Sequence, residues 1–201
     1  MRLNITQKSF IIIFLILLAD QVSKIWVKTS MVLGQEIPLI GNRVLIHFTE
    51  NNGMAFGYEL GGEYGKIILS VFRIIAVIGI IWYMNHLINQ KAPQGLVLSI
   101  ALILAGAIGN IIDSTFYGLI FTESFFTTAE LFPDEGGYAS LLHGKVVDML
   151  YFPVVQGNWP DWVPFKGGDR FIFFRPVFNL ADAAITTGVA ITLVFYREYF
   201  K

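Results

Sequence analysis

The stretch GLVLSIALILAGAIGNIID (95–113) runs from Gly95 to Gly109 with Ser99 as its only polar side chain, then presents Asn110 and Asp113. At 1.5 Å per residue it is about 28 Å long, close to the roughly 30 Å hydrocarbon core of a bilayer. It starts just after Pro93, a helix-entry signal. Read outward from Gly95, Asn110 and Asp113 fall in the far half of such a helix. Ionisable groups in membrane segments are costly and point to function or to a specific partner.

Three further apolar runs lie near 9–28, 67–88 and 177–196, and the run just quoted extends to about 121. The chain is 55% hydrophobic and 14% charged, with a mean hydropathy of +0.62. A soluble domain carries nearer 25% charged residues, so a multi-pass membrane protein is expected. The first run follows Lys8 and precedes Asp20-Gln-Val-Ser-Lys24, with no Ala-x-Ala-like cleavage site, so it reads as a retained helix. Net charge is −1, which gives no sign of nucleic-acid binding. The sequence contains no cysteine, which excludes disulfides and thiol chemistry.

The expected fold is a mainly α membrane protein: four transmembrane helices, a small β-sheet, and an aromatic-rich loop region on the outer face. Residues 1–201 form one integral membrane domain, with outer segments 29–66 and 122–176. Within 33–60, Ile37, Leu39, Val44, Ile46 and Phe48 flank Gly41-Asn42, predicting a hairpin. The segment 122–175 is rich in Gly, Pro, Asp and aromatics, including Trp159 and Trp162, and suits a folded loop at headgroup level. Arg2, Lys8, Lys91, Arg197 and Lys201 lie on one side, and Arg43, Lys66, Lys145, Lys166, Arg170 and Arg175 on the other, so the positive-inside rule sets no orientation.

Four alternating spans still fix which helix ends lie together. Asp20, Lys24, Asn110 and Asp113 fall in the outer halves of their helices, Asn179 and Asp182 in the first turn of the last, and Asn51, Gly53 and Asp148 in the outer segments. One polar layer at one membrane face results. Bland readings stand beside the functional ones. Asp20 and Lys24 are spaced i,i+4 for an ion pair. Asn110 and Asn179 suit interhelical hydrogen bonds, and Gly106 and Gly109 suit close helix packing. Arg73 can snorkel to headgroups, and Asp113 is either solvated or a structural contact. Asp148 and Asp182 are either a surface carboxylate pair or an acid/base dyad.

Other chemistries lack their residues. His47, His86 and His143 are scattered, with no His-Glu-x-x-His, so no metal is expected. There is no Gly-x-Ser-x-Gly and no phosphate-binding glycine loop. An ion-coupled carrier would place carboxylates toward the midplane and inner side, whereas the inner halves here are nearly charge-free. A scaffolding subunit would leave the polar layer without chemistry. A presenilin-like protease would carry Gly-x-Gly-Asp, which does not occur.

Five elements occur in order: Asp20-Gln-x-Ser-Lys24, Asn51-x-Gly53-x-Ala-Phe56, Gly106-Ala-x-Gly-Asn110-x-x-Asp113, Gly144-x-Val-Val-Asp148 and Phe178-Asn-x-Ala-Asp182. With them the chain resembles the bacterial lipoprotein signal peptidases (signal peptidase II), membrane aspartyl endopeptidases. The resemblance implies a catalytic dyad of Asp148 and Asp182, with Asp20, Lys24, Asn51, Gly53, Gly109, Asn110, Asp113, Asn179 and Ala181 lining or supporting the site. It implies no cofactor or metal, termini in the cytoplasm, and a cytoplasmic (inner) membrane enzyme whose site faces the periplasmic or extracellular side. Its implied partners are prolipoproteins carrying a diacylglyceryl cysteine, cut just before that residue, together with membrane lipids and globomycin-type inhibitors. Two features depart from the pattern. Ser114 stands where the family usually has Arg, and segments 115–142 and 149–177 are longer than in compact members.

Overall fold

The computed structural model describes residues 3–52, 62–153, 155–173 and 176–200. Gly53, Ala55, Phe56 and Arg175 lie outside the described residues. Helix α1 (Ile5–Ser30) starts ahead of its apolar run because Asn4 and Gln7 form a reciprocal capping box. After it come strands β1 (Glu36–Ile40) and β2 (Val44–Asn51), then helices α2 (Gly62–Asn89) and α3 (Gln94–Ile112). Helix α3 continues through a π-helical turn at Asp113–Tyr117 into a last short turn, α4 (Gly118–Ile120). Such turns insert an extra residue and rotate the side chains that follow.

Among the described residues, α1, α2 from Gly65, and α3 through Ile120 are the three helices long and apolar enough to cross a membrane. The last apolar run folds as strand β6 (Val177–Phe178) followed by α5 (Leu180–Phe195), an apolar helix of 16 residues. It is shorter than its run because Val177 and Phe178 pair with a strand and Asn179 then caps the helix. About 24 Å of helix remains.

Helix α3 is the hub, packing on α1, α2 and α5. Its small residues allow this. A Cβ on Gly106 would meet the Ala181 carbonyl oxygen at 2.2 Å, and one on Gly188 of α5 would meet the Ser99 carbonyl at 2.5 Å. The buried hydroxyls of Ser99 and Thr192 hydrogen-bond at 2.8 Å across the same contact. Helix α2 instead exposes Ile68, Phe72, Ile75, Ile78 and Trp82, as expected of a face solvated by lipid.

The sheet lies beyond the helix ends. Strands β1 and β2 form the expected hairpin, with Gly41 in the left-handed region at φ +51°. The sheet then recruits a strand that the sequence presents as loop, β3 (Val146–Tyr151), giving an antiparallel order β1-β2-β3-β6. Strands β4 (Val155–Asn158) and β5 (Arg170–Phe173) form a separate hairpin. Beneath the main sheet, Val27, Met31, Phe48, Tyr117, Phe121, Val147 and Met149 form one apolar core. That core seats β2 and β3 on the ends of α1 and α3.

Candidate active site

Helix α1 carries Asp20, Gln21, Lys24 and Lys28 at spacings that bring them to one inward-facing stripe. Lys24 Nζ lies 2.8 Å from Asp20 and 2.8 Å from Asp113. It also donates to Asn110 Oδ1 at 3.1 Å. All three charged side chains are fully buried. Buried charges persist only when paired and hydrogen-bonded, and these carboxylates are. Asp20 accepts from the Ala181 N–H at 2.9 Å, satisfying one of the free donors at the start of α5. Asp113 accepts from Gln21 at 3.0 Å and from the Val147 N–H at 3.3 Å. Gln21 in turn accepts from the Tyr117 hydroxyl at 3.1 Å. One ion cluster therefore ties α1, α3, α5 and β3 together. Gly109 makes room for it, since a Cβ there would lie 2.8 Å from the Asp20 carboxylate.

Asp148 stands on β3 opposite Thr49 of β2, and Asp182 in the first turn of α5. Two amides connect them. Asn179 Nδ2 donates to Asp148 Oδ1 at 2.8 Å and to Asn110 Oδ1 at 3.1 Å. Asn110 Nδ2 donates to Asp182 Oδ1 at 2.8 Å. Asn179 also caps α5, its Oδ1 accepting from the Asp182 N–H at 2.8 Å. The second oxygen of Asp148 accepts from the Asn51 amide at the end of β2. Asp148 is buried and Asp182 half-buried. Burial first, and the negative charge of Asp182 second, push the Asp148 carboxyl up to about 7; the hydrogen bonds from Asn51 and Asn179 and the Lys24 charge oppose the rise.

Arg73 does not snorkel away. Its guanidinium turns inward and donates to Ser114 Oγ at 3.2 Å, with Asp182 and Asp113 within its electrostatic reach. A second ionic cluster supports the strands. Buried Lys28 contacts Glu50 and donates to Ser124 at 2.9 Å, among the rings of Phe48, Phe121 and Tyr138. Lys145 bridges Glu50 at 3.7 Å and Glu123 at 3.0 Å. Glu50 and Lys145 directly precede Asn51 and Val146, which face each other across β2 and β3.

Of the residues singled out in the sequence, Asp20, Lys24, Asn51, Gly109, Asn110, Asp113, Asp148, Asn179, Ala181 and Asp182 converge here, and Gly53 lies outside the described residues. Asp113 is wholly enclosed and not a solvated helix end. Gln21, Lys28, Glu50 and Ser114 join the networks without having been singled out for these roles. The available signal was spacing: Lys28 lies four residues after Lys24, on the same stripe. Among the described residues, no group of three or more His, Cys, Asp or Glu is arranged to hold a metal ion.

Residues 12–197 match the family described as signal peptidase (SPase) II. A lipoprotein signal peptidase of Porphyromonas gingivalis is 51% identical over 186 residues, covering 92% of this chain and 80% of that protein. One from Amoebophilus asiaticus is 40% identical over 193 residues, covering 94% and 78%. A solved bacterial membrane enzyme superposes with a TM-score of 0.62 at 24% identity, covering 95% of this chain and 88% of that one, and supports the fold. With a buried polar layer at the ends of apolar helices and a family match spanning nearly the whole chain, this protein belongs to the signal peptidase II family of membrane aspartic peptidases.

Proposed function

We propose that this chain removes signal peptides from diacylglyceryl-modified prolipoproteins, with Asp148 and Asp182 activating water for attack on the bond before the lipidated cysteine. The observation that carries this reading is the amide relay Asp148–Asn179–Asn110–Asp182, which holds two carboxyl groups in one electrostatically coupled unit. Two neighbouring carboxyls do not both ionise cheaply, so they share a proton. Asp148, raised to about 7, holds it. Asp182 is left as the base, in the first turn of α5, where the helix dipole favours a negative group.

Asp182 then takes a proton from water as that water attacks the scissile carbonyl. Asp148 donates to the carbonyl oxygen, giving a diol. The proton gained by Asp182 then passes to the departing amine, and as the C–N bond breaks Asp148 takes a proton back from one diol hydroxyl, leaving the carboxylic acid product. Asn51 holds Asp148 before substrate arrives and is placed at a strand end from which its amide can turn to an extended peptide. Asp20, Lys24 and Asp113 act on the scaffold: they seat the start of α5 and the backbone of β3, and so aim both carboxyls. The apolar signal helix packs among the spans, and the diacylglyceryl chains remain in the outer leaflet of the cytoplasmic membrane. The site faces the periplasmic or extracellular side, and a globomycin-type lipopeptide occupies it as an inhibitor.

The test is cleavage of a diacylglycerylated prolipoprotein in detergent by wild type, Asp148→Asn and Asp182→Asn. Each variant should lose at least about 10³-fold in turnover, as expected when an acid/base partner is removed. Full turnover by either removes the dyad from the account. Equal processing of a non-lipidated precursor removes the lipid requirement.

A further inference from the structure

Arg73 sits within the apolar helix α2, whose neighbours Phe72 and Ile75 face outward. An arginine within an apolar span is costly unless the fold receives it. Here the fold does. The guanidinium donates to Ser114 Oγ at 3.2 Å, Ser114 donates to the Asn110 carbonyl at 3.0 Å, and the Asn110 side chain donates to Asp182 at 2.8 Å. Arg73 thus rests on the same turn of α3 that positions Asp182.

Charge points the same way. Asp20 and Asp113 share one cation, Lys24. A dyad sharing one proton adds another negative charge, leaving the layer with two in excess. Arg73, within electrostatic reach of Asp182 and Asp113, halves that excess from α2. Resting on the dyad reading above, we propose that Arg73 is a positioning residue of the catalytic site: anchored on Ser114, its guanidinium holds the Asn110–Asp182 unit in place and balances the charge of the dyad.

The role requires a guanidinium at that spot and is indifferent to which helix supplies it. That separates it from a packing role of Arg73 within α2. The experiment measures kcat, KM and thermal melting in detergent for wild type, Arg73→Lys, Arg73→Gln, Ser114→Ala and the double variant Arg73→Gln/Ser114→Arg. Arg73→Gln should lower kcat by about 10- to 100-fold with KM within about two-fold, the range for losing one preorganised charge near the reacting centre. Arg73→Lys should fall between, because an ammonium keeps the charge but loses the fork. Ser114→Ala should cost about two- to five-fold in kcat, because the guanidinium keeps its charge and loses only its anchor on α3.

The double variant, with its guanidinium returned from α3, should recover to within about five-fold of wild type. Wild-type kcat in Arg73→Gln overturns the proposal, as does a loss confined to KM, or a double variant that melts like wild type yet stays as slow as Arg73→Gln. If Arg73→Gln does not fold, unchanged kcat in both Arg73→Lys and Ser114→Ala overturns it. Asp148→Asn and Asp182→Asn in the same assay separate the two readings. Activity in either of those removes the dyad and this role with it. Inactivity in both, with normal Arg73→Gln, removes this role alone.

Discussion

Asn179 donates to Asp148 at 2.8 Å while its own carbonyl oxygen caps the helix that carries Asp182. A single side chain therefore ends strand β6, begins α5 and links the two carboxyls. Its two functions can be separated by chemistry. Asn179→Ser keeps a capping oxygen and loses the amide donors. It should melt within about 1 kcal/mol of wild type, yet turn over at least about tenfold more slowly. Asn179→Ala should lose about 1 kcal/mol more, measured by thermal or denaturant unfolding in detergent. Wild-type turnover in the Ser variant would show that the Asp148 contact is dispensable.

Lys24 answers two buried carboxylates at once. Lys24→Met should destabilise by about 3–5 kcal/mol, because it strands both in a fully buried site. Adding Asp20→Asn and Asp113→Asn to Lys24→Met should return much of that loss without restoring full activity. If the single variant instead melts like wild type, the ion cluster is not what holds α1, α3 and α5 in register.

Asp148 makes stability depend on pH. Its carboxyl is raised to about 7 in the fold from 3.8, so the folded state binds a proton more tightly than the unfolded chain does. Its contribution is fully present below about 4 and is lost as pH rises through about 7. Asp148→Asn cannot ionise and should escape this loss, melting higher than wild type at pH 8 by a few degrees, at roughly 2–4 °C per kcal/mol. The gap should shrink toward pH 5. A gap that widens on acidification would mean that the Asp148 carboxyl is not raised. By the same proton, turnover should decline as pH climbs above about 7, where the acid partner is lost.

Gly106 permits the contact that brings α5 to α3. A methyl there would meet the Ala181 carbonyl oxygen at 2.2 Å, a backbone atom that cannot swing aside. Gly106→Ala should displace the first turn of α5, with Asp182 on it, and reduce turnover by about 10²-fold. Gly79→Ala is the control, since nothing lies within 4 Å of its Cβ. It should leave activity unchanged and gain up to about 1 kcal/mol in stability from helix propensity. Equal effects at the two positions would argue against close packing as the reason for Gly106.

The apolar runs, the β1–β2 hairpin and the clustering of polar residues at one set of helix ends were legible because they rest on local composition and periodicity. Arg73 shows the limit of that reading. Within its own helix it looks like a side chain seeking headgroups, yet in the fold it turns inward to meet Ser114, just past α3. Asp148 is a second case. The Gly-rich sequence around it reads as loop, yet Val146–Tyr151 is a strand, because the edge of β2 offers hydrogen-bond partners more than ninety residues away in the chain.

By itself the sequence determined that this chain meets lipid, which residues are too polar to be there without a reason, and, through five ordered motifs, which family to expect. Composition and spacing carry that much, since transfer from water to lipid acts residue by residue. Tertiary structure alone decided how those residues are joined. Lys24 is shared by Asp20 and Asp113, Asn179 bridges to Asp148, and Arg73 reaches Ser114. Hydrogen bonds and ion pairs depend on distances between separate elements, and those are set by how closely α3, α5 and the sheet pack.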